Sequence, residues 1–181
     1  MLAIDCLIFC IFASQSVCNM AHTNKINKTN AARLLDRAHI AYELIPYTVD
    51  ESNLAATHVA QELGEDIRQV FKTLVLCSTS GEHFVCVLPG DAEVDLKKAA
   101  RVAGVKKADL IPMKELLPLT GYIRGGCSPV GMKKPFPTYF HLTALDFGHI
   151  YVSAGVRGLQ FKIAPRDLID FVGATTADII V

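Results

Sequence analysis

The segment Phe71–Gly90, FKTLVLCSTSGEHFVCVLPG, holds two apolar runs separated by Ser80-Gly81-Glu82. Runs of this length, bounded by a Ser/Gly turn, read as two buried strands of an antiparallel hairpin. Working outward, Asn53–Gly64 (NLAATHVAQELG) places Ala56, Val59, Ala60 and Leu63 on one face before a glycine stop, the pattern of an amphipathic helix. Before it, YELIPYTV alternates like a strand, with Pro46 marking an edge or bulge. Earlier still, Thr29-Asn30 can cap a helix over AARLLDRAHI. On the other side, DLKKAARVAG reads as a helix capped by Asp95 and closed by Gly104. KKADLIPMKELLPLTG reads as a short strand and a short helix, because Pro112 and Pro118 oppose a long one. PTYFHLTALDF and HIYVSAG are strand-like, and APRDLIDFVG is a final helix with Pro165 in its first turn. This order gives an α+β (mixed α/β) fold with a substantially antiparallel sheet and no regular βαβ alternation.

The chain of 181 residues is 51% apolar and 20% charged with zero formal net charge, which excludes a disordered chain and gives no overall pull toward nucleic acid. Charge is nonetheless segregated. Asp36–Asp66 carries seven acids against Arg37 alone, whereas Lys97–Lys134 carries nine bases against Asp109 and Glu115. The basic segment suits an anionic polymer as well as a solvated face.

The N-terminus, MLAIDCLIFCIFASQSVCNM, has an apolar run of about twelve residues containing Asp5 and no Lys or Arg. It lacks the positive start of a secretory signal and the length of a membrane span. The expectation is a functional protein beginning near Met20, with residues 1–19 an extension or misassigned start and residues 20–181 one domain. None of the six cysteines forms a C-x-x-C pair, so no metal finger or redox pair is expected. Cys77 and Cys86 would oppose each other across the hairpin, and the expected state is reduced, as in the cytoplasm.

Three features carry chemistry. Lys72 opens an apolar strand, where its ammonium either meets an anion or acceptor or snorkels into water. Gly121–Lys134, GYIRGGCSPVGMKK, has four glycines in fourteen residues, and Gly125-Gly126 lets main-chain N–H groups approach a ligand. Ser153–Leu159, SAGVRGL, sets a hydroxyl, two glycines and Arg157 side by side, as a site or as a hairpin turn with an exposed arginine. No Walker or dinucleotide fingerprint is present, and no cofactor is expected. The chain also lacks G-x-S-x-G, H-E-x-x-H and an obvious carboxylate pair, which argues against a standard triad or metal hydrolase.

Together FKTLV, GYIRGGCSPVGMKK and IYVSAGVRGL, with KTNAARLLD near the start, resemble the YbaK/EbsC family of Cys-tRNA(Pro) deacylases. These are free-standing relatives of the editing domain inserted in bacterial prolyl-tRNA synthetases. The resemblance runs from about Lys28 to Ile180. It implies a central, partly barrel-like sheet flanked by helices, with no metal, and a cytoplasmic enzyme that removes cysteine from tRNA(Pro) and extends to Cys-tRNA(Cys). It also implies the aminoacyl-tRNA acceptor end as substrate and prolyl-tRNA synthetase as a partner, with no membrane. Carried over, the catalytic positions are Lys72, Gly125, Gly126, Ser153 and Gly155. Substrate-binding positions are Tyr47, Arg157, Gln160, Lys133 and Lys134, the lysine pair facing the RNA. Gln160 departs from the pattern, since a familiar member carries Asp there; an amide can hydrogen-bond but cannot ionise. The implied route is substrate-assisted, with the esterified cysteine's own thiol attacking its carbonyl and Cys127 a bystander. Three other readings stay open: a non-catalytic tRNA- or synthetase-binding module, an Ala-tRNA(Pro) hydrolase and a small-molecule regulator.

Overall fold

The computed structural model describes residues 27–181; the expected extension 1–19 and the start near Met20 lie outside the described residues. Local sequence signals set the helices. Thr29 Oγ1 accepts from the Ala32 N–H at 3.1 Å and starts α1 (Asn30–Arg37). After β1 (Tyr42–Pro46) comes α2 (Ala56–Leu63), stopped by Gly64 in the left-handed region. A 3₁₀ turn at Ile67–Gln69 leads into β2 (Phe71–Ser78) and β3 (His83–Pro89). Asp95 Oδ1 accepts from the Lys97 and Lys98 N–H groups at 2.8 and 3.0 Å and caps α3 (Leu96–Val102). Then follow β4 (Ala108–Leu110) and α4 (Met113–Thr120), a helix that tolerates Pro118 in its interior. The chain ends with β5 (Thr138–His141), β6 (Ile150–Ser153), β7 (Leu159–Ile163), α5 (Pro165–Val172) and β8 (Thr175–Ala177).

Two sheets result, ordered β1-β7-β6 and β4-β2-β3-β5-β8. Four of the six strand pairs are antiparallel; β3–β5 and β5–β8 are parallel, so the larger sheet is mixed. One isolated parallel bridge, Val70–Tyr151, joins the two sheets. The larger sheet is buried on both faces. Val75, Val85, Val87 and Phe140 face a core shared with Leu35, Val152, Phe161 and Leu168. Leu76, Phe84, Cys86 and Leu88 pack under α3 against Ala99, Ala100 and Ile179. Burial on both sides is why β2 and β3 read as continuous apolar runs instead of alternating.

Four sequence expectations are corrected. Cys77 pairs with His83 and Cys86 with Leu74, an odd offset along β2 that turns the two thiols to opposite faces; both are free. The hairpin turn closes earlier than expected, with Ser78 N–H donating to Glu82 O at 2.8 Å and Gly81 at φ +88°. Leu142–Asp146 is a 3₁₀ turn instead of a continuation of β5. Finally, Leu159–Ile163 and Thr175–Ala177 form two further strands, β7 and β8, beyond those the sequence pattern indicates. SAGVRGL is the turn of a β6–β7 hairpin, closed by the Ala154 N–H donating to Leu159 O at 3.0 Å.

Candidate active site: a cavity at the seam of the two sheets

The seam where β2 meets β6 encloses a cavity of about 520 Å³. Four of the residues singled out from the sequence meet there: Lys72 and Gly125, with Ser153 and Gln160. No Asp, Glu or His lines it among the described residues; its ionisable groups are Lys72, Arg124 and Cys127.

Lys72 is half-buried at the start of β2, and its Nζ donates to Gly90 O at 3.0 Å. Burial lowers its pKa below that of an ordinary lysine, while Asp91 and Glu93 pull the other way. An ammonium has three donors, so one held by a carbonyl keeps others for a ligand. Gly90, which the sequence reading passed over, makes this possible: a Cβ there would lie 2.5 Å from Ala56 Cβ, blocking the approach of α2.

Ser153 and Gln160 face each other as cross-strand partners at the end of the β6–β7 ladder. Ser153 Oγ accepts from the Gly155 N–H at 3.3 Å. Gln160 is 5% exposed, yet its Oε1 has no hydrogen-bond partner among the described residues, and neither has Thr73 Oγ1 on the cavity wall. Buried polar atoms are normally satisfied, so these two stand out as unpaired oxygens beside the cavity.

The Gly-rich loop is a tight turn, Ile123–Gly126, closed by the Gly126 N–H donating to Ile123 O at 3.0 Å. That bond corrects one expectation: the Gly126 N–H is committed and cannot meet a substrate oxygen. Gly126 instead permits contact between the loops, since a Cβ would sit 3.2 Å from the Val156–Arg157 backbone. Gly125, at φ +82°, and Cys127 line the cavity, and their N–H groups make no hydrogen bond among the described residues. Cys127 is 8% exposed and burial pushes its thiol up to about 12, so it stays protonated at neutral pH.

The remaining sequence candidates have structural positions. Gly155, at φ +95°, makes room for Tyr122, whose ring a Cβ would approach to 2.9 Å. Tyr122 OH donates to Val130 O at 2.5 Å within the Gly121–Lys134 loop, while its ring lies against Gly155 of the other motif. Tyr47, expected in the pocket, does not line it. Its N–H donates to Gly158 O at 3.0 Å and its ring joins the cluster of Val59, Val70 and Tyr151. Arg157, expected at the substrate, is a strut: its Nε donates to Arg124 O at 2.9 Å and its Nη1 lies 3.4 Å from Glu51 Oε1. Lys133 Nζ donates to Leu117 O at 3.3 Å near the end of α4, with its stem beside Gly121. Lys134 is exposed and, like Lys133, lies outside the cavity wall. Arg124 and Thr73 also line the cavity; neither carried a signal of its own in the sequence, although Arg124 stands inside the loop motif.

Among the described residues, no three His, Cys, Asp or Glu side chains converge as metal ligands, and no helix is long and apolar enough to cross a membrane. Residues 51–171 match the aminoacyl-tRNA editing domain family. Over 160 residues the chain is 41% identical to a protein of Enterococcus faecalis (strain ATCC 700802 / V583) named as a candidate Cys-tRNA(Pro)/Cys-tRNA(Cys) deacylase, EbsC; the match covers 88% of this chain and 98% of that one. A proline–tRNA ligase of Cupriavidus necator is 25% identical over 131 residues, 71% of this chain and 23% of the ligase. Among solved structures, a candidate trans-editing enzyme for prolyl-tRNA synthetase superposes with a TM-score of 0.72 at 26% identity, covering 86% of this chain and 99% of that one.

Proposed function

Since the chain belongs to the aminoacyl-tRNA editing domain family, we propose that it is a trans-editing deacylase that removes cysteine from mischarged tRNA(Pro), and that it extends to Cys-tRNA(Cys). Residues 20–181 form the deacylase domain, working in the cytoplasm alongside prolyl-tRNA synthetase, which supplies tRNA selection that a short basic segment cannot.

One observation carries the mechanism: among the described residues the cavity wall holds no carboxylate or imidazole, and its one thiol is held protonated by burial. A site without a base or nucleophile of its own suits a substrate that brings one. Free cysteine titrates near about 8.5, so a small thiolate fraction exists at neutral pH. The substrate thiol loses its proton to solvent, and its sulfur attacks the carbonyl carbon of its own ester. The C–O bond to the terminal ribose breaks, the ribose oxygen takes up a proton, and the aminoacyl group leaves as a thiolactone. Holding the two reacting groups in attack geometry supplies up to about 7–11 kcal/mol. Gly125 and Cys127 N–H groups stabilise the oxyanion, Gln160 Oε1 and Thr73 Oγ1 accept from the α-ammonium, and Lys72 holds the terminal ribose or phosphate.

The test is deacylation of Cys-tRNA(Pro), Ala-tRNA(Pro) and Ser-tRNA by the purified full chain. Release of cysteine with persistence of the serine ester is the expected result, because serine's hydroxyl is a poor nucleophile at this pH. Release of alanine instead would establish the sibling hydrolase. Salt-sensitive RNA binding without turnover would establish the non-catalytic module.

A further inference from the structure

The cavity carries two cations of unequal freedom. Lys72 is half-buried with its ammonium on Gly90 O, whereas Arg124 is exposed at the rim. Among the described residues the Arg124 guanidinium makes no hydrogen bond or ion pair. Its backbone, by contrast, is fixed. Arg124 is the second residue of the turn closed by the Gly126 N–H on Ile123 O, and its own carbonyl accepts from Arg157 Nε at 2.9 Å. Arg157 is in turn tethered to Glu51, and Gly125 packs so closely that an added Cβ would sit 3.3 Å from Leu54 and 3.5 Å from Arg157. A hydrogen-bonded turn thus presents a guanidinium with no partner among the described residues at the mouth of a cavity on whose wall those residues place no negative charge.

We propose that Arg124 binds the phosphodiester joining the last two nucleotides of the acceptor strand, with Arg157 as its positioning residue. The identity of the ligand as an RNA 3′ end rests on the editing function proposed above; the assignment of Arg124 itself rests on the geometry. A planar guanidinium takes a phosphate through two parallel N–H donors and remains charged at any working pH. Depth divides the work. Lys72 takes the ribose end, and Arg124 at the rim takes the phosphate that stays near solvent. The neighbouring cations are otherwise placed, with Arg157 committed to Glu51 and Arg124 O, and Lys133 to Leu117 O.

The experiment measures binding of the full chain to a labelled, uncharged acceptor-stem minihelix ending in CCA. Two RNAs are compared, one native and one with a neutral methylphosphonate at the terminal linkage, across a range of KCl. For the wild type the neutral linkage should weaken binding about ten-fold, the scale of one charge-assisted contact. The slope of log K against log salt should fall by about 0.7, one single-strand phosphate. Arg124→Gln should show the same loss on native RNA, little further loss on the methylphosphonate, and an unchanged Tm, since its exposed side chain makes no hydrogen bond or ion pair among the described residues. Arg124→Lys should recover the salt slope and only part of the affinity. Equal sensitivity of wild type and Arg124→Gln to the neutral linkage, or no measurable RNA binding by the wild type, would overturn the proposal. Because uncharged RNA is used, the outcome separates from catalysis. Coupling between Arg124 and the linkage without Cys-tRNA(Pro) cleavage would sink the editing function and leave this assignment standing. Cleavage without coupling would do the reverse.

Discussion

Ser153 and Gln160 are partners across the last rung of the β6–β7 ladder, both buried, and both on the wall of the cavity. Gln160 Oε1 has no hydrogen-bond partner among the described residues. An unpaired buried acceptor costs about 1–3 kcal/mol. Gln160→Met, which keeps the volume and removes the polar atoms, should therefore hold or raise Tm while lowering kcat/KM about ten-fold, equivalent to ~1.4 kcal/mol of transition-state contact. Thermal unfolding and steady-state deacylation on the same preparation decide it; a drop in Tm with unchanged activity would make Gln160 a packing residue.

Lys72 should govern the alkaline side of the pH profile. The site needs the ammonium, and burial lowers its pKa, so the cation disappears at a lower pH than in a free lysine. The substrate thiol acts in the opposite sense, its thiolate growing as pH rises through about 8.5. The wild-type kcat/KM should rise and then fall, once uncatalysed ester hydrolysis is subtracted. Lys72→Ala should lose about a hundred-fold or more, on the scale of one electrostatic contact to the transition state. Lys72→Arg should retain residual activity without the falling limb. A falling limb that persists in the arginine variant would point to another group.

Cys127 should be dispensable. Its thiol, pushed up to about 12 by burial, is neither exposed nor ionised at neutral pH. Cys127→Ala should leave deacylation within a few-fold, and iodoacetamide should label Cys127 in the folded protein far more slowly than in denaturant. Collapse of activity to background in the alanine variant would reinstate an enzyme nucleophile.

Gly155 and Tyr122 should behave as one unit. A methyl at Gly155 meets the Tyr122 ring at 2.9 Å and forces an L-residue to φ +95°. Gly155→Ala should cost about 2 kcal/mol, or roughly 4–8 °C in Tm for a chain of this size. Combining it with Tyr122→Leu should cost less than the sum of the single changes, because the smaller side chain relieves the clash. Strict additivity would show that the strain is in the backbone alone.

Local chemistry was legible in the sequence wherever a feature depends on residues a few positions apart. The caps at Thr29 and Asp95 and the stop at Gly64 lie where the sequence placed them, since a cap bonds within its own first turn. The β2–β3 hairpin was legible because burial on both faces leaves an unbroken apolar run. The short strands β7 and β8 were not. Leu159–Ile163 is hidden behind its own turn motif, and the three residues of β8 gain strand geometry only by pairing with β5. Register was equally out of reach, because the extent of the Ser78–Glu82 turn sets whether Cys77 meets Cys86 or His83.

Local sequence alone was enough to read the helices, the central hairpin and the three motifs of one family. It also named the four residues, Lys72, Gly125, Ser153 and Gln160, that meet at the cavity. Which polar groups remain unpaired depends on the folded chain. Arg157 is occupied by a carboxylate 106 positions away and by a carbonyl 33 positions away, while Arg124, two residues before its fellow motif residue Gly126, has no partner among the described residues. Gly126, within the same turn, has its N–H used up by Ile123. A side chain's type fixes what it can bind, but its availability depends on contacts between distant segments, and these exist only once the sheets have closed on each other.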